Sequence, residues 1–448
     1  MYQKTAHLQI AFLWALLTIL NTACNQNATE TNDNQQTEMS EQDNKTLLEG
    51  LWRGALSVAD ENDLPFNFLV NWKDEATCEM TIMNGEERIE VKDITINDDS
   101  IFIKMPIYDS EIKGKYNNRR IIGEWYNYAK GKDYMLLFYA AYGDSARFQL
   151  PMPTEEVANV DGRWEVVFMS DDKKSKTDAI AEFKQVGDKV TGTFLTPTGD
   201  YRYLEGQVTE DELYLSTFDG SHAFVFKAKV DSAANSMQGD FWSGRHWHEI
   251  WLAFRNDTIT MPSADNMTKM KAGKTTIDFS FPNLEGKNVS LQDEKFKNKV
   301  VVVQVLGTWC PNCRDETELF SKIYNKYRGK GLEMVGLAFE NGETLEAAKP
   351  ILERYKKHFN IGYDLLYAGK ASKKVASEAL PNLTGIKAYP TSIFIDRSGK
   401  VRHIHTGFSG PATQNYQKEV AKIEGIIEDL MNETCLLYTS PSPRDIGE

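Results

Sequence analysis

Cysteine is scarce in this chain, with five residues among 448, and Cys310 and Cys313 form a close pair. Cys78 lies on the apolar face of an alternating segment and is interpreted as a buried hydrophobic residue, so a second redox centre would have no partner thiol. Basic runs are absent and the formal net charge is −14, which argues against a nucleic-acid surface. A chain of this length exceeds what one hydrophobic core holds, so about two to four domains are expected.

A long membrane-spanning run is also missing at the N-terminus. The apolar stretch Leu8 to Leu20 is too short for a typical span and has the flanks of a signal peptide. Small residues directly before Cys24 resemble a bacterial lipoprotein cleavage box, although Asn21 stands where an aliphatic residue is usual. We therefore expect a lipoprotein signal peptide over residues 1–23, a lipid on Cys24 and a disordered polar tether over residues 24–47. A plain secretory signal and an uncleaved anchor are the alternatives.

The C-terminal segment, residues 435–448, is expected to be non-native. It back-translates without strain to a transposase adapter sequence used in sequencing libraries, so the natural protein should depart from this sequence near Glu433. Cys435 is therefore left out of the cysteine arithmetic.

Residues 48–256 show short strand patterns separated by turn signals, and they contain an internal repeat. The sequence Glu-Gly-Leu-Trp at 49–52 returns as Asp-Gly-Arg-Trp at 161–164. We predict two tandem all-β repeats, residues 48–150 and 154–258, which are antiparallel and barrel-like. Each repeat offers about eight strands, enough to close into an up-and-down barrel.

The Gly-x-Trp that opens each repeat resembles the lipocalin and avidin group. The resemblance implies that Trp52 and Trp164 each plug one end of a barrel, covered by a basic residue of the last strand. Arg255 fits this role in the second repeat, whereas the first repeat has Tyr139 at the equivalent place. Other aromatic residues of the repeats are interpreted as core or interface rather than as a ligand pocket. They are Trp125, Tyr126, Tyr128, Trp242, Trp247 and Trp251.

Two pairs of histidines stand at strand spacing, His246 with His248 and His403 with His405. Each pair would place two imidazoles on one strand face. A metal site needs at least a third ligand, and the sequence shows none, so no metal is predicted.

The apolar β-branched run Val300–Leu306 predicts a strand buried on both faces, and apolar residues at helical spacing after Cys313 predict a helix. Strand, Cys-x-x-Cys and helix in this order predict a redox centre. Cys310 would be exposed at the helix N-terminus, where unpaired N–H groups and the positive dipole end favour its thiolate. Pro311 fits the first helical turn, and Cys313 lies one turn further in, shielded. We predict that Cys310 attacks a substrate disulfide and that Cys313 resolves the mixed disulfide.

Residues 259–272 are expected to be a linker, and over 273–432 strand patterns alternate with helical ones. This alternation predicts an α/β sheet covered on both faces. The chain is therefore predicted to be multidomain, with two tandem all-β repeats followed by an α/β domain. The elements predicted for the α/β domain, besides the strand and helix around the cysteines, are a hairpin over 278–291, strands at 332–339, 363–367, 390–396 and 400–406, and helices at 344–358, 371–380 and 413–431.

The α/β domain resembles the TlpA/ResA-type thiol–disulfide oxidoreductases. The resemblance is carried by the hairpin, by Gly-Thr-Trp-Cys-Pro-Asn-Cys at 307–313, and by Tyr-Pro-Thr at 389–391 before an apolar strand. It implies a thioredoxin-like fold with an extra helix–strand insertion, here Thr344 to Tyr367. It also implies a cis peptide bond before Pro390, which is otherwise a minority state.

The same resemblance assigns roles to single residues. Substrate binding is assigned to Trp309, Pro311, Tyr389 and Pro390, with backbone at Tyr389 pairing with the incoming substrate. Glu316 matches a carboxylate that ResA-like members place beneath the active site, which suits a proton acceptor for the resolving thiol. The alternative for Glu316 is a first-turn carboxylate that complements the helix dipole.

The combined prediction is a lipid-anchored oxidoreductase of the cell envelope that faces the periplasm and reduces protein disulfides through a Cys-Pro-Asn-Cys dithiol. Its partners would be oxidised substrate proteins, the membrane through the lipid anchor, and a membrane electron donor. No cofactor is predicted beyond the redox-active Cys310–Cys313 pair. One alternative is a peroxiredoxin-like peroxidase, although the Pro-x-x-x-Thr-x-x-Cys motif is missing. The other is a binding lipoprotein whose β repeats hold a ligand, with the redox domain accessory.

Overall fold

The computed structural model describes residues 46–59 and 62–433. The predicted signal peptide, the lipidation site Cys24, most of the tether and the tail over 435–448 lie outside these ranges. The described residues form two nine-stranded sheets, a two-stranded hairpin and a five-stranded sheet. Two all-β parts followed by an α/β part confirm the predicted fold class. None of the helices in these ranges combines the length and the apolar character that a membrane-spanning segment requires.

The first β repeat is a meander of nine strands. They are β1 (Gly50–Ser57), β2 (Asp63–Trp72), β3 (Cys78–Asn84), β4 (Glu87–Val91), β5 (Asp93–Asn97), β6 (Ser100–Lys104), β7 (Ser110–Tyr116), β8 (Arg120–Asn127) and β9 (Met135–Tyr142). Strand β5, which the prediction of about eight strands did not include, pairs with β6 as a short hairpin. Strand β1 lies between β2 and β9, and within the described residues no ladder joins β4 to β5. The hydrogen-bonded ladders of this sheet therefore do not close it into a complete barrel. Cys78 is buried here, as predicted.

The second β repeat closes on itself. Its strands are β10 (Gly162–Ser170), β11 (Lys176–Val186), β12 (Lys189–Thr196), β13 (Gly199–Asp200), β14 (Leu204–Val208), β15 (Glu212–Phe218), β16 (Ala223–Asp231), β17 (Ser236–Ser243) and β18 (Trp247–Arg255). Strand β11 pairs with β10 and β12, and β12 also pairs with β14, so eight strands form a closed up-and-down barrel. Strand β13 is a two-residue addition at the end of β12. The predicted barrel is thus complete in this repeat.

A buried tryptophan opens each repeat, as predicted. The indole N–H groups of Trp52 and Trp164 each donate to a backbone carbonyl four residues earlier, at 2.9 Å. The guanidinium of Arg255 covers Trp164, with its central carbon 5.5 Å from the ring centroid. In the first repeat, Tyr142 rather than Tyr139 packs edge-on against Trp52, with centroids 5.7 Å apart. Both tryptophans therefore have structural roles.

Aromatic rings fill the core of the closed barrel. Phe226 is fully buried, with its ring centroid 4.4 Å from that of Phe241 and 4.8 Å from that of Phe194. The replacement Phe226→Ala leaves a cavity, so we expect the free energy of unfolding to fall by about 3–5 kcal/mol, measured by urea unfolding. Phe254→Ala in the same barrel is the matched control, because Phe254 is 57% exposed. Equal losses in the two variants would contradict this assignment of the core.

The α/β domain follows the predicted order of elements. They are β19 (Ser280–Pro282), β20 (Asn288–Ser290), β21 (Val300–Leu306), α1 (Pro311–Tyr327), β22 (Leu332–Glu340), α2 (Leu345–His358), β23 (Asp364–Lys370), α3 (Lys373–Ala379), β24 (Thr391–Ile395), β25 (Val401–Thr406) and α4 (Tyr416–Asn432). The sheet order is β23-β22-β21-β24-β25, in which β21, β22 and β23 run parallel. The predicted insertion is α2, which contains Pro350, together with β23. Strand β21 is central and buried along its length, so the loop after it lies at the middle of the sheet edge.

Buried charged side chains join both β repeats to the first helix of the α/β domain. Arg202 of the second repeat contacts Glu87 of the first repeat and donates to Asp315 of α1 at 2.5 Å. Arg314 of α1 also donates to Glu87, at 3.1 Å. These contacts fix the N-terminal end of α1, which follows the cysteine loop, against the two repeats.

Candidate active site

The cysteine pair lies where the central strand gives way to α1. Because β21 ends at Leu306 and α1 begins at Pro311, Cys310 caps the helix N-terminus. Its Sγ accepts a hydrogen bond from the backbone N–H of Cys313 at 3.2 Å. The two Cα atoms are 5.2 Å apart and the sulfurs form a disulfide bond. After reduction, the same N–H and the positive end of the helix dipole would favour a thiolate on Cys310.

The four residues assigned to substrate binding lie in this loop or beside it. The peptide bond between Tyr389 and Pro390 is cis, as predicted, and the next residue pairs with β21. The rings of Trp309 and Tyr389 meet edge-on with centroids 5.2 Å apart, and the indole N–H donates to a backbone carbonyl of β22 at 2.9 Å. Pro311 occupies the first position of α1, where its missing N–H costs nothing.

Glu316 lies one turn beyond Cys313 in α1 and is fully buried. Its carboxylate accepts hydrogen bonds from Nε2 of Gln304 and Oγ of Ser392, each at 2.8 Å. Burial raises the pKa of Glu316 to about 7. A buried carboxyl group whose pKa is raised toward neutrality is compatible with the interpretation as a proton acceptor, and the alternative of a first-turn carboxylate that complements the helix dipole stays open.

The prediction did not include a second buried carboxylate, Glu340, at the end of β22. Its oxygens accept hydrogen bonds from the backbone N–H and the hydroxyl of Thr308, at 2.9 and 2.7 Å. These bonds hold the backbone immediately before Trp309. Burial raises the pKa of Glu340 to about 7. The sequence did contain a signal for Glu340, because it is an acidic residue at the end of an apolar strand pattern.

The structure contradicts the prediction that the attacking sulfur is exposed, because Cys310 is 4% exposed. Asn312, which stands between the two cysteines, packs against Gly199 of the second repeat, and its Oδ1 lies 3.5 Å from the backbone N of Asp200. Tyr108 of the first repeat belongs to the same buried cluster as both cysteines. Gly199, Asp200 and Tyr108 are far from the cysteines in the sequence, so no local sequence pattern predicts that they cover the cysteine loop.

The first histidine pair does not share a strand face. His246 lies in the turn before β18, with its ring centroid 5.3 Å from that of Tyr134. His248 lies within β18, where its ring nitrogens are 2.6 Å from Asp171 and 3.0 Å from Asp240. The two imidazoles therefore have separate environments.

The second histidine pair has beside it a third side chain that is able to ligate a metal, which the sequence did not reveal. His403 and His405 lie beside Asp265 of the linker, with ligand atoms of all three within 4.8 Å of one another. The expectation that no third group accompanies this pair is therefore wrong. The charges of this group already have partners, however, because Lys422 donates to Asp265 at 2.6 Å and Glu419 contacts His405.

Comparison with known proteins connects the cysteine site to a family. The Redoxin family matches residues 271–422. The thiol-disulfide oxidoreductase ResA of Bacillus thuringiensis subsp. konkukian is 35% identical over 133 residues, which cover 30% of this chain and 68% of that protein. The chain belongs to the ResA family of thiol–disulfide oxidoreductases. ResA of Geobacillus thermodenitrificans is 31% identical over 158 residues, 35% of this chain and 82% of that protein.

One similar solved structure is a thiol:disulfide interchange protein of the thioredoxin family from Chlorobium tepidum. It is 24% identical and covers 36% of this chain and 99% of its own, with a TM-score of 0.28. The Redoxin match lies within the α/β part of the chain and leaves both β repeats outside it. The similarity that assigns the enzyme class is therefore confined to the α/β domain. What the β repeats do for this enzyme has to be inferred from their contacts with that domain.

Ionisation of Glu316 makes the stability of this ResA-family enzyme depend on pH. The pKa of Glu316 is about 7 in the folded chain against an ordinary value of 4.5, so the folded state binds more protons between these values. Stability is therefore lost as pH rises through this window. Glu316→Gln removes that loss. We expect its free energy of unfolding, relative to the wild type, to rise by about 2–3 kcal/mol between pH 5 and pH 8 in urea unfolding.

Glu318→Gln is the control for this experiment. Glu318 lies on the same helix, but its side chain is 49% exposed and pairs with Lys322. We expect the difference between Glu318→Gln and the wild type to stay nearly constant with pH. A constant difference for Glu316→Gln as well would contradict the raised pKa.

Proposed function

We propose that this protein is a lipid-anchored thiol–disulfide oxidoreductase of the cell envelope, which reduces disulfides of its substrates through Cys310 and Cys313. The observation that carries the proposal is Cys310 at the N-terminus of α1, bonded to Cys313, in a domain of the ResA family. The anchor is inferred from the residues before Cys24, which lie outside the described structure. A lipid there would hold the enzyme at a membrane facing the periplasm.

The reaction begins with both cysteines reduced. The Cys310 thiolate attacks one sulfur of a substrate disulfide, forms a mixed disulfide and releases the other substrate sulfur as a thiolate, which takes up a proton. The Cys313 thiolate then attacks Sγ of Cys310, which restores the intramolecular disulfide and releases the second substrate thiol. Two electrons pass from the dithiol to the substrate, and the two cysteine protons end on the two product thiols.

We assign Glu316 to the second step. The attack by Cys313 requires its thiol to lose a proton, and Glu316 lies one helical turn away with a pKa raised to about 7 by burial. Glu340 has a positioning role, because it holds Thr308 and therefore the backbone that leads to Trp309 and Cys310.

A further turnover needs a reductant that returns the disulfide to the dithiol. In an oxidising compartment this must be a dithiol or an equivalent two-electron donor, and for a tethered enzyme we infer a donor in the membrane. Oxidised proteins or peptides are the substrates. No cofactor is proposed beyond the cysteine pair.

Trapping of the mixed disulfide tests this proposal. The reduced Cys313→Ser variant is mixed with a fluorescent unstructured peptide that is dimerised through a disulfide. Because the hydroxyl that replaces the resolving thiol cannot release the adduct, we expect close to one labelled peptide per chain on a non-reducing gel, removed by dithiothreitol. The wild type should return to its intramolecular disulfide and retain no label.

Cys310→Ser is the control, and it should form no adduct because the attacking sulfur is absent. Label on Cys310→Ser, or none on Cys313→Ser, would refute the assigned roles. Hydrogen peroxide consumption with dithiothreitol addresses the peroxidase alternative in the same samples. We expect the wild type to consume peroxide no faster than Cys310→Ser.

A further inference from the structure

A turn of the second β repeat lies directly on the surface around the cysteines. This segment, Pro197–Asp200, comprises the two residues that follow β12 and the two residues of β13, and it is called the cover turn below. At Gly199 a Cβ atom would stand 1.8 Å from Nδ2 of Asn312, so the turn touches the Cys-Pro-Asn-Cys loop itself. The φ of Gly199 is not in the left-handed region, so a larger side chain here would disturb the contact with Asn312 and would not strain the backbone conformation.

The cover turn also reaches the opposite side of the site. A Cβ atom at Gly407 would stand 2.6 Å from the carbonyl oxygen of Thr198, and the N–H of Gly407 donates to the carbonyl of Pro390 at 2.8 Å. A carboxylate oxygen of Asp200 accepts a hydrogen bond from the N–H of Gly410 at 2.7 Å. The turn is thus fixed both to the helix start and to the loop beside the cis-proline.

This placement limits what can approach Cys310, whose residue is 4% exposed. A stable protein partner buries roughly 800 Å² of its own surface, and although transient redox partners bury less, a folded protein substrate still needs open surface around the sulfur. The cover turn occupies the surface that such a partner would need. The cover turn therefore hinders contact between Cys310 and a disulfide at the surface of a folded protein.

One cavity remains open beside the cysteine loop. Its volume is about 390 Å³, and all three parts of the described chain contribute to its walls. Its lining includes Tyr108, Tyr128, Ser221, Trp309, Glu340 and Arg354. Cavities of roughly 300–1,000 Å³ accommodate small molecules, and this one has room for a short extended segment of chain.

We propose that the cover turn is a specificity-determining element, which admits slender disulfides and excludes those held in folded proteins. A slender disulfide is one carried by a small molecule or by an extended segment of chain. The inference rests on the proposed disulfide-reductase function and narrows its substrate class. The chemistry is unchanged: one substrate disulfide becomes two thiols, and the dithiol of the enzyme becomes a disulfide.

The test compares the full chain with Gly199→Arg, whose side chain fits only if the cover turn moves away from the cysteine loop or the side chain of Asn312 shifts. Three disulfides serve as substrates: oxidised glutathione, a disulfide-linked dimer of an unstructured peptide, and insulin, with dithiothreitol as the electron donor. The kcat/KM for each is divided by the rate of its direct reduction by dithiothreitol. Gly329→Arg is the matched control, because Gly329 has no atom of another residue near its Cβ position. Gly199→Ala replaces Gly199→Arg if the larger side chain prevents folding.

We expect the wild type to favour at least one slender disulfide over insulin by about tenfold or more, and Gly199→Arg to raise the insulin value about tenfold while Gly329→Arg does not. Glutathione and the peptide dimer distinguish a small-molecule substrate from a chain segment. If insulin is reduced equally well by the wild type and Gly199→Arg, the inference is overturned and the proposed function stands. If no variant reduces any of the three disulfides, the proposed function itself fails, and the inference fails with it.

Discussion

Arg202 is the side chain on which the arrangement of the described parts depends. Its guanidinium contacts Glu87 of the first repeat and Asp315 of α1, and its Nε lies 3.8 Å from Asp219 of its own repeat. Burial alone would raise the pKa of Glu87, but the charges of Arg202 and Arg314 hold it below its usual range. A buried ionic cluster of this kind gives little net stability relative to packed apolar groups, but it tolerates few alternative arrangements. Its role here is therefore to fix where α1 lies against the repeats.

The position of α1 matters because one helix connects three environments. Its first residues face the buried charges through Arg314 and Asp315, while Glu316 faces the sheet and is held by Gln304 and Ser392. Its N-terminus is capped by Cys310. A rotation or shift of α1 would disturb the ionic cluster and the carboxyl site together. The β repeats consequently do more than cover the cysteines, since they take part in orienting the helix that activates them.

The sequence predicted those features that depend on local patterns. The apolar run Val300–Leu306 has the same bounds as β21, and the bond before Pro390 is cis as the family resemblance implied. The closed barrel followed from strand spacing and turn signals. The short strand Asp93–Asn97 was missed because it lies directly beside β4 in the chain, separated from it by a single residue, Lys92.

Long-range contacts were beyond the reach of the same reasoning. Pro197–Asp200 has the composition of an ordinary turn, and nothing in it indicates that Gly199 contacts Asn312. Asp265 lies in a predicted linker, far from the two histidines that it joins. Burial of Cys310 follows from contacts between parts of the chain, so a rule based on helix termini alone assigns its accessibility wrongly.

Burial of the two cysteines affects where the proton of the resolving thiol can go. A proton leaving an exposed thiol can pass to solvent, whereas Cys313 is fully buried and Cys310 nearly so. The proton of the resolving thiol therefore needs an acceptor within the protein, and that acceptor must be basic enough to take the proton and acidic enough to release it afterwards. Glu316, the proposed acceptor, is compatible with both conditions, because burial raises its pKa to about 7 while Gln304 and Ser392 still stabilise its carboxylate. A dithiol that is shielded from water thus requires a nearby carboxyl group whose pKa lies near neutrality.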